Sequence, residues 1–280
     1  MLAPWLADAA SRDLIAEWSR AAGVELAALG SDADAATIAQ TQYAQPLIVA
    51  AGLLSLGALD GFDVLPDRIV RLDPGDMVVA GHSLGAITAA AVAGVFSPSD
   101  AIKLAAARGR LMAETPTDGG MLAVIGANLA DVQAAAAQAG VAVATVNAPT
   151  QIVVAGPKPR LAQFAPPAKS RIVALPVSGP FHTAAYREAG VKLAALPANT
   201  NLASPRIPLI RDIDGKELSP GTPPEAIRKY LVAQISTPVR WDKVTSTLLD
   251  LGVTETTELE PSGTLTRLWQ RALRGLLQRN

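Results

Sequence analysis

The chain has 280 residues, of which 50% are hydrophobic and 18% charged, and its 24 Lys and Arg balance 25 Asp and Glu to a net charge of −1. So apolar and nearly neutral a chain is not intrinsically disordered, and it lacks the basic excess of a bulk nucleic-acid binder. It has no Cys, which excludes a disulfide framework, a zinc–cysteine site and a thiol nucleophile, so covalent acyl or phosphoryl chemistry would need an oxygen.

The opening MLAPWLADAASRD has neither a basic n-region nor a cleavage-type tail, so no secretory leader is read there. That and the absence of Cys fit a cytoplasmic protein. Residues 1–60 read as helical. Their longest apolar run, Pro46 to Leu59, is short of the ~20 residues of a membrane span. It reads as a core helix that Pro46 opens. Asp76 to Ala80 is a β-rich run leading into Gly81-His82-Ser83-Leu84-Gly85, and an Ala-rich helix follows. Ser97-Pro98-Ser99-Asp100 has the form of an N-cap with Pro at N1, and its helix runs to about Met112, carrying Arg108.

Composition shifts at Pro116 to Gly120. MLAVIG, LADVQAAAAQ, VAVATVN, QIVVAG, PRLAQF and RIVALPV then read as strand, helix, strand, strand, helix, strand. That order is the split β-α-β-β-α-β motif of ferredoxin-like folds, so residues 117–183 read as a small inserted domain. Short runs such as PLIRDID (208–214) resume the first domain, and residues 219–224 read as a loop.

Gly81-x-Ser83-x-Gly85 has the nucleophile-elbow pattern. A serine on a strained strand-to-helix turn projects its oxygen, and glycines let neighbouring backbone pass. The Leu84 amide then faces a developing oxyanion at the positive end of the next helix. The alternative is a Gly-rich turn without catalysis. A serine nucleophile needs a base, and the chain has two histidines. His82 adjoins Ser83, so its side chain should diverge, and packing or a local hydrogen bond is expected of it. His182, in VSGPFHT, is the remaining distant base. An ordinary α/β-hydrolase orders its triad Ser, acid, His, with several strands before the elbow. Here no His follows 182 and residues 1–75 carry little strand signal, which disfavours an esterase of that fold.

GHSLG (81–85), AARGRLM (106–112), NAPTQIVVAG (147–156), GPFHT (179–183) and TPVRW (237–241) stand in one order along the chain. Together they resemble the malonyl-CoA:acyl-carrier-protein transacylases of fatty-acid synthesis, most closely the actinobacterial members. The resemblance covers nearly the whole chain. It implies an α/β fold, with a larger α/β-hydrolase-like domain formed by 1–116 and 184–280 around the ferredoxin-like insertion. It also implies Ser83 as the nucleophile that takes the malonyl group and His182 as its base. Arg108 matches the partner of the malonate carboxylate, Gln45 and Asn147 match polar residues lining the site, and Leu84 matches an oxyanion amide. Phe181 resembles the malonyl-selecting form of its motif; a core aromatic is the alternative. A backbone carbonyl orients the base in this family, and the matching position is Arg240. The implied partners are malonyl-CoA and the carrier protein, with no nucleic acid, membrane, metal or redox cofactor.

The sequence departs from the family in three places. The family's opening strand and Gly-Gln-Gly-Ser-Gln segment, with its second oxyanion amide, has no counterpart, since Met1 to Trp5 match the stretch after it. The expectation is that the natural chain starts about ten residues earlier, the length of a strand and its loop. Ala86 stands where Glu is usual, and Glu260-Pro261-Ser262-Gly263 replaces a Gly-Pro-Gly turn. Rival readings are a polyketide-synthase malonyltransferase, a short-chain thioester hydrolase and an inactive binding protein. Acidic carriers would favour a basic patch, with Lys158, Arg160, Lys169 and Arg171 as candidates.

Overall fold

The computed structural model describes residues 1–71, 76–196 and 202–277. The first sixty residues are helical, as the sequence reads. A 3₁₀ turn (Ala3–Ala7) leads to α1 (Ala9–Ala22), α2 (Leu26–Ser31), α3 (Ala35–Ile38) and α4 (Thr41–Gly57). α4 is buried on every side, with Leu47, Val49, Ala50, Leu53 and Leu54 all in the core. It starts earlier than its proline implies, for Pro46 lies inside the helix. Pro46 has no N–H for the Gln42 carbonyl, which sits on a half-buried turn. The extra first turn is tied down from outside, where the Thr41 hydroxyl donates to the Gly109 carbonyl at 2.8 Å.

A small hairpin follows, β1 (Phe62–Val64) against β2 (Ile69–Arg71). Of the run at 76–80 only Val79–Ala80 is strand, as β3. The elbow and α5 (Gly85–Val92) come directly after it. α6 (Pro98–Glu114) begins on the expected cap: the Ser97 hydroxyl accepts the Asp100 amide at 3.0 Å, with Pro98 at N1. Packing of α6 on α4 needs Gly109. A Cβ there would lie 2.5 Å from the Thr41 carbonyl oxygen.

The next six elements appear in the order read from the sequence: β4 (Gly119–Ile125), α7 (Leu129–Ala139), β5 (Ala142–Ala148), β6 (Gln151–Pro157), α8 (Lys158–Leu161) and β7 (Arg171–Ala174). α8 is a single turn. The strands lie side by side as β5-β6-β4-β7, each pair antiparallel. Val124, Val132, Ile152, Val154 and Phe164 pack together over one face of this sheet.

After α9 (Arg187–Ala194), β8 (Leu209–Ile210) pairs parallel with β3, and β9 (Glu217–Leu218) pairs antiparallel with β8. The chain continues through α10 (Pro224–Ala233), a 3₁₀ turn (Gln234–Ser236), β10 (Val239–Arg240), α11 (Trp241–Asp250) and α12 (Thr264–Leu277). β10 joins the five-stranded sheet, pairing parallel with β5 through Val239–Thr145 and Arg240–Val146. The whole is a mixed α/β fold. Among the described residues no helix is long and apolar enough to cross a membrane.

Gly109→Ala reverses the usual helix preference. Alanine favours a helix interior by about 1 kcal/mol over glycine, but here its methyl would drive α6 off the α4 backbone, and overpacking costs about 1–3 kcal/mol. A lower Tm on thermal unfolding is expected; an unchanged or raised Tm contradicts this account of the helix contact.

Candidate active site

Ser83 sits between β3 and α5 with φ 53°, in the left-handed region. Such a backbone costs about 1–3 kcal/mol and persists only where its surroundings enforce it. The turn is enforced from several sides. A Cβ on Gly81 would lie 2.0 Å from the Gly85 carbonyl oxygen, so position 81 admits only glycine. Gly85, the other glycine of the motif, faces open space, so the steric need rests on Gly81 alone. The Ser83 N–H donates to Asp212 Oδ2 at 2.8 Å. The Ser83 carbonyl accepts from the Ala86 amide at 3.0 Å and also from Gln234 Nε2.

His182 lies on the loop after β7, also in the left-handed region with φ 58°, and is 4% exposed. Its Nε2 is 2.7 Å from Ser83 Oγ. Its Nδ1 is 3.0 Å from the Gln234 carbonyl oxygen. A carbonyl only accepts, so Nδ1 carries the proton, and Nε2 presents its lone pair to the serine hydroxyl. The orienting carbonyl is thus that of Gln234, not Arg240. The reason is local. α10 ends at Ala233, and a helix end leaves carbonyls without intrahelical partners. Arg240 is further on in β10, paired beside Val146; its amide donates to the Asp212 carbonyl and its guanidinium pairs with Asp242.

Burial, Arg108 and His82 together lower the His182 pKa to about 3, against the opposing pull of the Gln234 and Thr237 backbone. The imidazole is therefore a neutral base at ordinary pH. Arg108 is itself only 3% exposed, not a solvated helix residue. Its Nη1 donates to Gln45 Oε1 at 2.7 Å and its Nη2 to Gln234 Oε1 at 3.2 Å. Among the described residues its Nε has no hydrogen-bond partner. Burial lowers its pKa to about 10, so it remains a cation. Gln45 Nε2 is in turn 3.3 Å from Thr41 Oγ1 and from Met112 Sδ.

Leu84 is the N-cap of α5, so its amide precedes the helix and has no carbonyl of that helix to donate to. Asn147, at the end of β5, holds His82: Oδ1 and Nε2 are 2.9 Å apart, and the His82 ring tilts against Trp241 at 5.5 Å between centroids. His82 diverges from Ser83 and packs, as expected, but its hydrogen bond is to a residue 65 positions along the chain and not a local one. Phe181 packs on Tyr186 at 5.5 Å. Lys158, Arg160, Lys169 and Arg171 are exposed around α8 and β7, with Lys158 paired to Asp118.

Two residues of this site escaped the sequence reading. Gln234 reaches Ser83, His182, Arg108 and Asp212 at once. Asp212 is fully buried within PLIRDID. An acidic residue in a short apolar run was the available signal for Asp212. A glutamine at a helix end carries none.

An acyl transferase domain family model matches residues 18–278. The chain belongs to the acyl transferase domain family. It is 43% identical to the malonyl CoA-acyl carrier protein transacylase of Mycobacterium tuberculosis H37Rv over 99% of this chain and 89% of that protein. The crystal structure of MCAT from M. tuberculosis superposes with a TM-score of 0.86 at 40% identity, covering 98% of this chain and 89% of that one. A malonyl-transacylase in complex with its type II PKS acyl-carrier protein gives a TM-score of 0.84 at 29% identity, covering 98% and 88%. The resemblance read from the motifs is borne out, and the chain is an acyltransferase.

The buried imidazole predicts acid sensitivity. An unfolded His182 takes up a proton below about pH 6.5, whereas the folded one stays neutral down to about 3. Its contribution is fully present above 6.5 and lost as pH falls through that window, by about 1.4 kcal/mol per unit. Denaturant unfolding from pH 7 to 4 should show His182→Ala with a shallower decline than the parent chain. Equal slopes would contradict the depressed pKa.

Proposed function

We propose that this acyltransferase moves malonyl from CoA to the phosphopantetheine thiol of acyl carrier protein through a malonyl-serine ester. The observation that carries the reading is Arg108. It is a buried cation with an unpartnered Nε, one glutamine away from the Ser83 carbonyl. A guanidinium offers parallel N–H donors to a carboxylate. Beside a serine nucleophile it selects acyl groups that end in one. Its similarity to malonyl CoA-acyl carrier protein transacylases supports the same donor and acceptor.

The steps follow from the atoms in place. His182 Nε2 takes the Ser83 proton as Oγ attacks the thioester carbonyl. The oxyanion forms against the Leu84 amide and the start of α5. The imidazolium, steadied by the Gln234 carbonyl, protonates the departing CoA thiolate. The carrier thiol then gives its proton to His182 and attacks the ester, and collapse returns that proton to Ser83. Arg108, held by Gln45 and Gln234, keeps the acyl group in place between the two halves. No electron transfer occurs, and these residues suffice without a metal or redox cofactor.

The strand order β5-β6-β4-β7 supports reading 117–183 as a ferredoxin-like insertion in a hydrolase-like domain. We place the activity in cytoplasmic fatty-acid synthesis. A polyketide role is the second reading, favoured by 34% identity to the polyketide biosynthesis protein ThaF of Burkholderia thailandensis over 90% of this chain and 21% of that protein. Transfer rates to carriers of the two kinds separate them.

Malonyl-CoA should add a malonyl mass to Ser83, and Ser83→Ala should abolish it. Arg108→Ala should lower kcat/KM for malonyl-CoA about a hundredfold or more, the scale of a lost buried charge pair, while acetyl-CoA use rises relative to it. Unchanged acyl preference would overturn the carboxylate clamp. Net hydrolysis in the presence of carrier would favour a thioesterase.

A further inference from the structure

Asp212 is fully buried, yet it is not one of the groups that transfer protons or bind the acyl chain in the proposed reaction. Its surroundings are unusual for a spare carboxylate. Oδ2 accepts from the Ser83 N–H at 2.8 Å and from Gln234 Nε2 at 3.0 Å, and Oδ1 accepts from the Tyr230 hydroxyl at 2.9 Å. Three donors converge on one acceptor group, the pattern of an ionised carboxylate. The Asp212 backbone is also tied in, with its N–H on Tyr230 Oη at 3.2 Å and its carbonyl accepting from the Arg240 amide.

These bonds fall on the parts of the site that must hold still. Ser83 lies beyond the end of β3 at Ala80, so its N–H has no place in the strand ladder and needs another acceptor. Asp212 is that acceptor. Asp212, together with the Ser83 carbonyl, also decides how the Gln234 amide faces. A carboxylate tolerates only the NH₂ end beside it, so Oε1 must point the other way, to Arg108 Nη2. Without Asp212 the Ser83 carbonyl alone would hold that NH₂, and an amide that turned over would set its NH₂ against a guanidinium, donor against donor. Arg108 would then lose one of its two anchors.

We propose that Asp212 is a positioning residue for acyl transfer: it holds the nucleophile turn through the Ser83 amide and sets Arg108 through the Gln234 amide. The inference rests on Ser83 being the nucleophile. Charge and geometry can be separated by substitution. Asp212→Asn keeps an oxygen for Ser83 and Gln234 and turns its NH₂ to Tyr230 Oη. Asp212→Leu fills the same volume with no acceptor.

The test measures single-turnover malonylation of Ser83 at saturating malonyl-CoA, by mass, with rates corrected for the folded fraction, and measures the malonyl-to-acetyl ratio. Asp212→Leu should acylate roughly tenfold to a hundredfold more slowly, the scale of a misplaced reacting group, and should discriminate less against acetyl. Asp212→Asn should recover the rate to within about threefold and restore the preference, because its acceptor geometry is kept. A merely structural carboxylate would lower stability and leave the saturated rate per folded molecule and the acyl ratio unchanged. An unimpaired Asp212→Leu, with the parent chain malonylated at Ser83, overturns this inference alone. Absence of malonyl on Ser83 in the parent sinks the nucleophile reading and this inference with it. Should Asp212→Leu not fold, hydrogen exchange at the Ser83 amide of the ¹⁵N-serine-labelled parent decides. Strong protection supports the Asp212 bond, and exchange at the rate of an open turn overturns it.

Discussion

In the proposed reaction one hydrogen bond sets the chemistry, from His182 Nδ1 to the Gln234 carbonyl. It consumes the imidazole proton on one side and leaves a lone pair on the other, 2.7 Å from Ser83 Oγ. A carboxylate in that position would stabilise the imidazolium strongly. A neutral carbonyl stabilises it less, so the base gains a fixed tautomer without a strongly raised pKa. Burial then holds the ring neutral. The arrangement suits the proposed transfer, in which the proton rests on histidine only briefly, between serine and a departing thiol.

The same glutamine supplies a second kind of order. Its side-chain amide lies between a buried cation, Arg108, and a buried carboxylate, Asp212. An unpaired charge in a dry interior is costly, and an ion pair in direct contact would leave neither partner open to a ligand. An intervening amide lets each charge feel the other while Arg108 keeps a donor unspent. Burial raises the Asp212 pKa, opposed by the His82 field and by the hydrogen bonds from Ser83, Tyr230 and Gln234.

How much of this was legible in the sequence depended on which atoms did the work. Ser83 announced itself by its glycines, and His182 by being the sole distant imidazole in the chain. Arg108 stood within a recognisable run. Gln234 and Asp212 act through a backbone oxygen and a shared network; Gln234 leaves no local pattern, and Asp212 only that of an acid in a short apolar run. The substitution of Gln234 for Arg240 has the same origin, because a carbonyl acceptor imposes no side chain at its position. Pro46 suggested a helix start, but the Thr41–Gly109 contact extended α4 by a turn; tertiary contact outweighed the local rule. The two glycines of the elbow looked equivalent in sequence, yet only Gly81 is crowded by backbone.

The seam between β5 and β10 limits how the architecture can be rearranged. Thr145 and Val146 pair with Val239 and Arg240, which follow the Gln234 turn closely along the chain. The β5-β6-β4-β7 strands are therefore laced to the very stretch whose carbonyl meets His182. A chimera that exchanged residues 117–183 between relatives would have to carry a matching β10, or the imported sheet would pull the Gln234 carbonyl out of line with its histidine.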